Sequence, residues 1–371
     1  MIKSVIRRIG SILALLVALI AAYLLLWPVP AEPQSWVAPA PPGYTGAHAP
    51  NTRLENLRLI DTGADFGPEH MVIGPDGMLY AAMAKGVLLK MDPDGQNRAV
   101  FANTGGRVLG FAFDSAGRMI ASDAMRGLLA IDAGGNISVL TDHVSADDPI
   151  RYANSIVINP EGLIYFTDAS GKFAPSEWGG TLEASMLDII EQACTGRVLA
   201  YDPATGKTFI VAHGFSFANG IALSTDARAL FISETGRYRI WKLDAAARDL
   251  DIRSGSPQAT VLFPNLPGYP DNLMRGLEGR IWVGLFRPRN PAADGLSQKP
   301  FVRKILLRLP QSMIPVGEPY GHVFAFLEDG TVVEDLQDPS GAYLQTTGVT
   351  ETADRRYIHS LIAPQIGWLP R

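Results

Sequence analysis

Five stretches of this chain share one frame: an apolar run of strand type, a short polar turn and a second apolar run. They cover residues 69–77, 109–117, 154–162, 219–226 and 271–279. Laid over one another on their turns, they put Glu69, Leu109, Asn154, Asn219 and Asp271 in a single slot, five residues ahead of the turn. A degenerate sixth copy around 349–357 puts Thr346 there. Successive slots lie 40, 45, 65, 52 and 75 residues apart. Within each repeat, further strand runs alternate with turns such as Pro75-Asp76-Gly77, Asp92-Pro93-Asp94-Gly95 and Asp132-Ala133-Gly134-Gly135. A period of 40 to 50 residues with several strands per unit indicates propeller blades. The expected fold is all-β: a six-bladed β-propeller over 55–371, with two helical insertions and an N-terminal transmembrane helix.

The insertions account for the two long steps. The first, 174–195, contains Glu183–Glu191, which reads as a short helix. The second, 288–317, contains Phe301–Leu309, apolar on one face and basic on the other, as an interfacial helix would be. Either segment could simply cover a propeller face or form a lid over a central site.

The N-terminus has its own signature. Lys3, Arg7 and Arg8 precede eighteen residues, Gly10 to Trp27, without a charge. Such a helix spans about 27 Å, close to the hydrocarbon thickness of a bilayer. Residues 1–27 therefore read as a basic stub and uncleaved signal anchor, N-terminus cytoplasmic and propeller extracytoplasmic. The competing reading is a cleaved signal peptide, which would leave the domain secreted; Val29-Pro30-Ala31 is a poor cleavage site. Residues 28–54 form a Pro-rich linker, and its six prolines between Pro28 and Pro42 predict an extended spacer that lifts the domain off the bilayer. A formal charge of −5 gives no cue for nucleic acid. Cys194 stands alone, so neither an intramolecular disulfide nor a cysteine metal cluster is available.

In a propeller the first strand of each blade lines the central channel, so equivalent residues converge on the axis. Glu69, Asn154, Asn219 and Asp271 would meet there with two carboxylates and two amides. A hard cation with oxygen ligands and tolerant geometry, Ca²⁺, suits this set. The absence of His and Cys from the slot argues against zinc. The competing explanation, that Asn and Asp favour strand starts as turn formers, covers single cases only. Asp271 is then a ligand, a general base or a nucleophile. Its neighbour Asn272 is a candidate further contact, although strand alternation would point it away from the axis.

At these residues the sequence resembles the senescence-marker-protein/gluconolactonase and strictosidine-synthase-like superfamily of six-bladed propellers. It is most similar to the membrane-anchored branch typified by adipocyte plasma membrane-associated protein. The marks are Gly67-Pro68-Glu69, Asn154 before Ile156–Ile158, Tyr165–Ser170 with Lys172-Phe173, Asn219–Ser224, Glu234–Ile240 and Leu266–Asn272. The resemblance implies calcium-dependent hydrolysis of lactones, aryl esters or phosphotriesters. By position, Glu69, Asn154, Asn219 and Asp271 match the family's channel calcium ligands, and Asp271 its base or nucleophile. Paraoxonases carry a catalytic histidine near the second slot; Leu109 stands there instead, so no histidine-assisted step is expected at that point. Leu109, Lys172, Phe173 and His359 are expected to face substrate, His359 as a proton shuttle or else as a satisfied blade histidine. His70 reads as structural, and Glu234 with Arg237 as a pair at a blade turn. The expected activity is hydrolysis of a small apolar lactone or aryl ester. The alternatives are a condensing enzyme of strictosidine synthase type and a non-catalytic scaffold with a structural calcium.

Overall fold

The computed structural model describes residues 2–310, 313 and 317–371. Six antiparallel sheets follow one another around a ring. Blade 1 runs His70–Ile73, Leu79–Ala82, Val87–Met91 and Ala99–Asn103 from hub to rim. Blade 2 starts at Val108–Phe113, blade 3 at Ala153–Ile158, blade 4 at Ala218–Leu223, blade 5 at Gly268–Arg275 and blade 6 at Thr346–Glu351. Blade 3 carries a fifth strand, Leu250–Asp251, paired parallel to its rim. Blade 6 takes its outermost strand, Arg58–Asp61, from the start of the domain, paired antiparallel with Gln365–Pro370. That pairing closes the ring and leaves no free edge at the seam.

Each blade buries one face against the next. Phe166, Ile120 and Leu199 pack between blades 2 and 3, and Phe215, Ile232 and Trp241 between blades 3 and 4. Trp282, Val323 and Val349 fill the joint of blades 5 and 6, and Tyr357, Met71 and Leu89 the joint of blades 6 and 1. The alternation of strand residues is what supplies both faces of every sheet.

At the hub the inner strands approach backbone to backbone. A Cβ on Gly220 would lie 2.4 Å from the carbonyl oxygen of Asp271 in the next blade, and one on Gly110 would lie 2.9 Å from that of Asn154. Only glycine allows this contact.

Four helices complete the chain: α1 (Ile2–Leu26), α2 (Thr181–Glu191), α3 (Pro291–Gly295) and α4 (Pro300–Leu306). Helix α1 is exposed and long and apolar enough to cross a membrane, with a mean hydropathy of 2.7 over its span. The expected helix at 183–191 falls inside α2. The helix expected at 301–309 ends earlier, at Leu306, and α3 precedes it. Residues 311, 312 and 314–316 of this second insertion lie outside the described residues.

The basic residues of α4 are not a free polar face. Arg303 is buried and donates to the carbonyl of Ile190, Lys304 pairs with Glu32 at 2.6 Å, and Arg308 donates to the carbonyls of Leu24 and Trp27. Nor does the linker stand free. Gln34 N–H donates to Glu191 O at 2.7 Å and Trp36 N–H to Ser297 O at 3.2 Å, so residues 32–36 strap α2 to the second insertion. The prolines rule out regular sheet pairing, but their extended backbone still offers carbonyls to the body, as Pro39 does to Arg289 at 2.6 Å.

Gly220→Ala should cost about 3 kcal/mol, because backbone on the facing strand cannot yield. Gly295→Ala, with open space around its Cβ position, should stay within about 0.5 kcal/mol. Denaturant melts of the two variants check this.

Candidate metal centre

Five of the six inner strands break register at the slot. The ladder shifts between Val108 and Gly110, Ala153 and Ile156, Ala218 and Ile221, Pro270 and Leu273, and Thr346 and Val349. An extra residue at a bulge aims two consecutive side chains to one side. In blade 1 the strand pairing begins only at His70, while Glu69 N–H donates to Ala82 O at 3.0 Å.

The consequence is visible at Asn272. Strand alternation would point it away from the axis, yet its Nδ2 donates to Glu69, to the carbonyl at 3.2 Å and to Oε1 at 3.3 Å. Asp271 and Asn272 thus both serve the hub. Of the two orientations the sequence leaves open for Asn272, the structure has the hub contact, and the Pro270 to Leu273 irregularity is the reason.

Glu69, Asn154, Asn219 and Asp271 are all buried and all line one cavity of about 320 Å³. Leu109 lines it too. Tyr152, Phe217, Tyr238 and Tyr269 form its walls, and Met186, Ile189, Leu306 and Leu307 from the two insertions roof it. Three buried oxygens here have no hydrogen-bond partner: Glu69 Oε2, Asn219 Oδ1 and Asn272 Oδ1. Unpaired buried acceptors are costly and rare. A hard cation is the partner that acceptor-only oxygens call for, so this donor set fits Ca²⁺.

Electrostatics point the same way. Burial, then the neighbouring charge of Asp271, pushes the Glu69 carboxyl well above its usual range. Burial likewise pushes Asp271 up, against hydrogen bonds from Asn219 and the Asn272 backbone. Arg107, itself buried, offsets part of this with a guanidinium nitrogen 3.8 Å from Glu69 Oε2. Nothing in the repeat frame marks Arg107, because it sits two residues before the oxygen-free slot of its own blade and serves the preceding one.

Acids at the ends of second strands hold the slots in place. Asp168 Oδ1 accepts from Tyr152 N–H at 2.8 Å and Glu234 Oε1 from Ser216 N–H at 3.0 Å, each just ahead of a slot. Asp123 does the same for Arg107 N–H at 3.2 Å. Glu234 is therefore a backbone anchor, with Trp241 Nε1–H as its second donor, and Arg237 lies 3.9 Å off.

Three expected substrate contacts stand elsewhere. Lys172 is drawn to Glu191 at 2.6 Å and lies over the Phe173 ring, away from the cavity lining. Phe173 is consumed by the apolar cluster beneath α2, with Ala184 and Phe217. His359 lies behind the hub, its Nε2 2.8 Å from Thr350 Oγ1 and its ring 5.7 Å from that of His70. Burial, then His70, pushes its basicity well below the usual value, so it is a neutral blade histidine. His70 itself contacts Phe111 O at 3.1 Å.

Residues 46–91 match the strictosidine synthase-like N-terminal family and residues 154–246 the strictosidine synthase family. Strictosidine synthase-like protein 4 of Arabidopsis thaliana is 30% identical over 268 residues, covering 68% of this chain and 67% of that one. The chain belongs to the strictosidine synthase-like family. Adipocyte plasma membrane-associated protein of Danio rerio is 28% identical over 335 residues, 84% of this chain and 77% of that one. Among solved structures, a gluconolactonase of Xanthomonas campestris superposes with a TM-score of 0.59 at 19% identity, covering 92% and 98% of the two chains. The calcium-binding protein regucalcin of Agrobacterium tumefaciens does so at 0.52 and 16%, covering 83% and 93%. At such identities these two share the fold with this strictosidine synthase-like propeller.

The raised carboxyls give a signed pH dependence. As pH climbs from about 4 towards 7, the unfolded chain releases protons that the folded hub retains, so metal-free stability should fall. In chelator, the melting temperature should drop between pH 5 and pH 8. Added Ca²⁺ should raise it by several degrees at pH 8 and by less at pH 5. Calorimetry across that range checks both arms.

Proposed function

We propose that this protein is a membrane-anchored hydrolase of lipophilic lactones or aryl esters, with Ca²⁺ held by Glu69, Asn154, Asn219 and Asp271. The observation that carries this reading is the set of unpartnered buried oxygens at the base of an apolar, roofed cavity. A bound Ca²⁺ would supply Lewis acidity, polarising the ester carbonyl.

The chain's own residues supply the rest. Asp271, a buried carboxylate on the cavity lining, takes a proton from the attacking water and returns it to the departing alkoxide or phenoxide as the acyl–oxygen bond breaks. Direct attack by the Asp271 carboxylate on the acyl carbon is the other route open to it. Glu69, tethered by Asn272 and Arg107, holds its place two blades away around the hub. Tyr152, Phe217 and the lid leucines exclude water from the acyl chain.

The lipophilic class follows from where the lid sits. The C-terminal end of α1 is hydrogen-bonded to Arg308 just after α4, and Tyr23 Oη donates to Arg308 O at 3.1 Å. A membrane-spanning α1 with its basic N-terminus in the cytoplasm would thus bring the cavity roof to the outer bilayer surface. Phe301, exposed on α4, would meet the lipid interface there. Residues 1–27 act as anchor, 28–54 as linker and 55–371 as the catalytic propeller.

The family name favours a second reading, condensation of an amine with an aldehyde. It calls for a glutamate at the mouth, whereas Glu191 of α2 is taken up by Lys172 and the Glu32 N–H.

The test is an assay of phenyl acetate and long-chain lactones with the full chain in detergent, with and without chelator. Chelation should abolish turnover and Ca²⁺ restore it. Asp271→Asn should lower kcat at least 100-fold. Unchanged turnover in that variant would remove Asp271 from its role, and turnover of amine and aldehyde alone would establish the second reading.

A further inference from the structure

A second cluster of donor atoms lies far from the hub, on the outer strands of blade 5. His322 comes from the third strand (Gly321–Phe326), Asp335 from the fourth (Val332–Asp338) and His48 from the linker. His48 Nδ1 is 2.7 Å and His322 Nε2 2.8 Å from one and the same oxygen, Asp335 Oδ2. All three donor atoms lie within 4.8 Å of one another.

The surroundings are built around that oxygen. The other carboxylate oxygen, Oδ1, accepts from Asn51 Nδ2 at 3.0 Å and Gln337 Nε2 at 2.5 Å, which fixes the carboxylate plane. Outer hydrogen bonds of this kind orient metal ligands. Phe324 stacks edge-on against His48 at 4.8 Å, and Tyr44 packs on His322 at 5.6 Å. Arg53 donates to Asp335 O and pairs with Glu334 at 2.7 Å, which Arg356 also meets at 3.1 Å. His322 Nδ1, on the side facing away from Asp335 Oδ2, and Tyr44 Oη are both buried and unpartnered.

We propose that His48, His322 and Asp335 form a transition-metal site of zinc type that clips the linker to blade 5. Two imidazoles and one carboxylate suit Zn²⁺ and related ions, not Ca²⁺. The two ring protons that now share Asp335 Oδ2 shift to the opposite nitrogens, His48 Nε2 and His322 Nδ1, freeing both lone pairs for the ion. No proton is released when both rings are neutral. His48 is partly exposed, so water completes the coordination from that side. The site is independent of the hub: its ligands belong to outer strands and linker, whereas Asp271 lies on the innermost strand of blade 5.

The experiment uses the full chain in detergent, stripped with chelator, returned to saturating Ca²⁺ to fill the hub, and titrated with Zn²⁺ or Co²⁺. One ion per chain should bind, and Co²⁺ should give the visible absorption of a low-coordinate nitrogen–oxygen site. His48→Ala and His322→Ala should each weaken Zn²⁺ binding at least 100-fold, while Asp271→Asn leaves it unchanged. Zn²⁺ should slow amide exchange at residues 44–54 in the native chain and not in His48→Ala. His48 sits on the linker, so its variant remains decisive should His322→Ala fail to fold. Absent stoichiometric binding, or binding equal in the native chain and His48→Ala, overturns the site.

Discussion

The close approach of the inner strands is the contact on which the rest of this molecule depends. Gly220 lies against the Asp271 backbone and Gly110 against that of Asn154, so neighbouring slots are brought together by main chain rather than side chain. The register breaks at the same positions, and in blade 5 the break brings both Asp271 and Asn272 to the hub. A side chain at either glycine would push blades apart, and oxygens that share one cavity would cease to share it. The apolar joints between blades hold the ring closed, but they would tolerate small shifts that the hub would not.

Gathering those oxygens has an electrostatic cost. Glu69 and Asp271 are buried together, with Arg107 as partial relief, and three acceptors near them find no donor. A fold that kept this arrangement for stability alone would do better with apolar side chains at the same points. Buried, unsatisfied acceptors beneath an apolar roof are a donor set that suits a hard cation.

The linker joins three parts that the repeat pattern treats as separate. It straps α2 to the second insertion through Gln34 and Trp36, reaches blade 5 through His48 and Asn51, and ends in the strand that closes blade 6. The last turn of α1 is tied to Arg308 beside α4. The cavity roof, α1 and the ring closure are therefore mechanically continuous. A change at the linker would be felt at the cavity roof without touching the hub.

Much of this was written in local sequence. Strand runs broken by Asp-Gly and Asp-Pro turns specify blades whatever surrounds them, and a repeat of equal parts must put equivalent positions on equivalent strands. That is why the fold, α1, α2 and the convergence of Glu69, Asn154, Asn219 and Asp271 were legible. What depended on departures from regularity was not. Asn272 faces the hub because of a bulge, Arg107 serves a neighbouring blade, and Lys172, Phe173 and His359 are claimed by Glu191, by the cluster under α2 and by Thr350. The linker's course and its meeting with His322 and Asp335 were equally hidden. Local pattern sets which elements form; contacts between residues hundreds of positions apart are decided only when the ring closes, because no short stretch carries the energy that selects them.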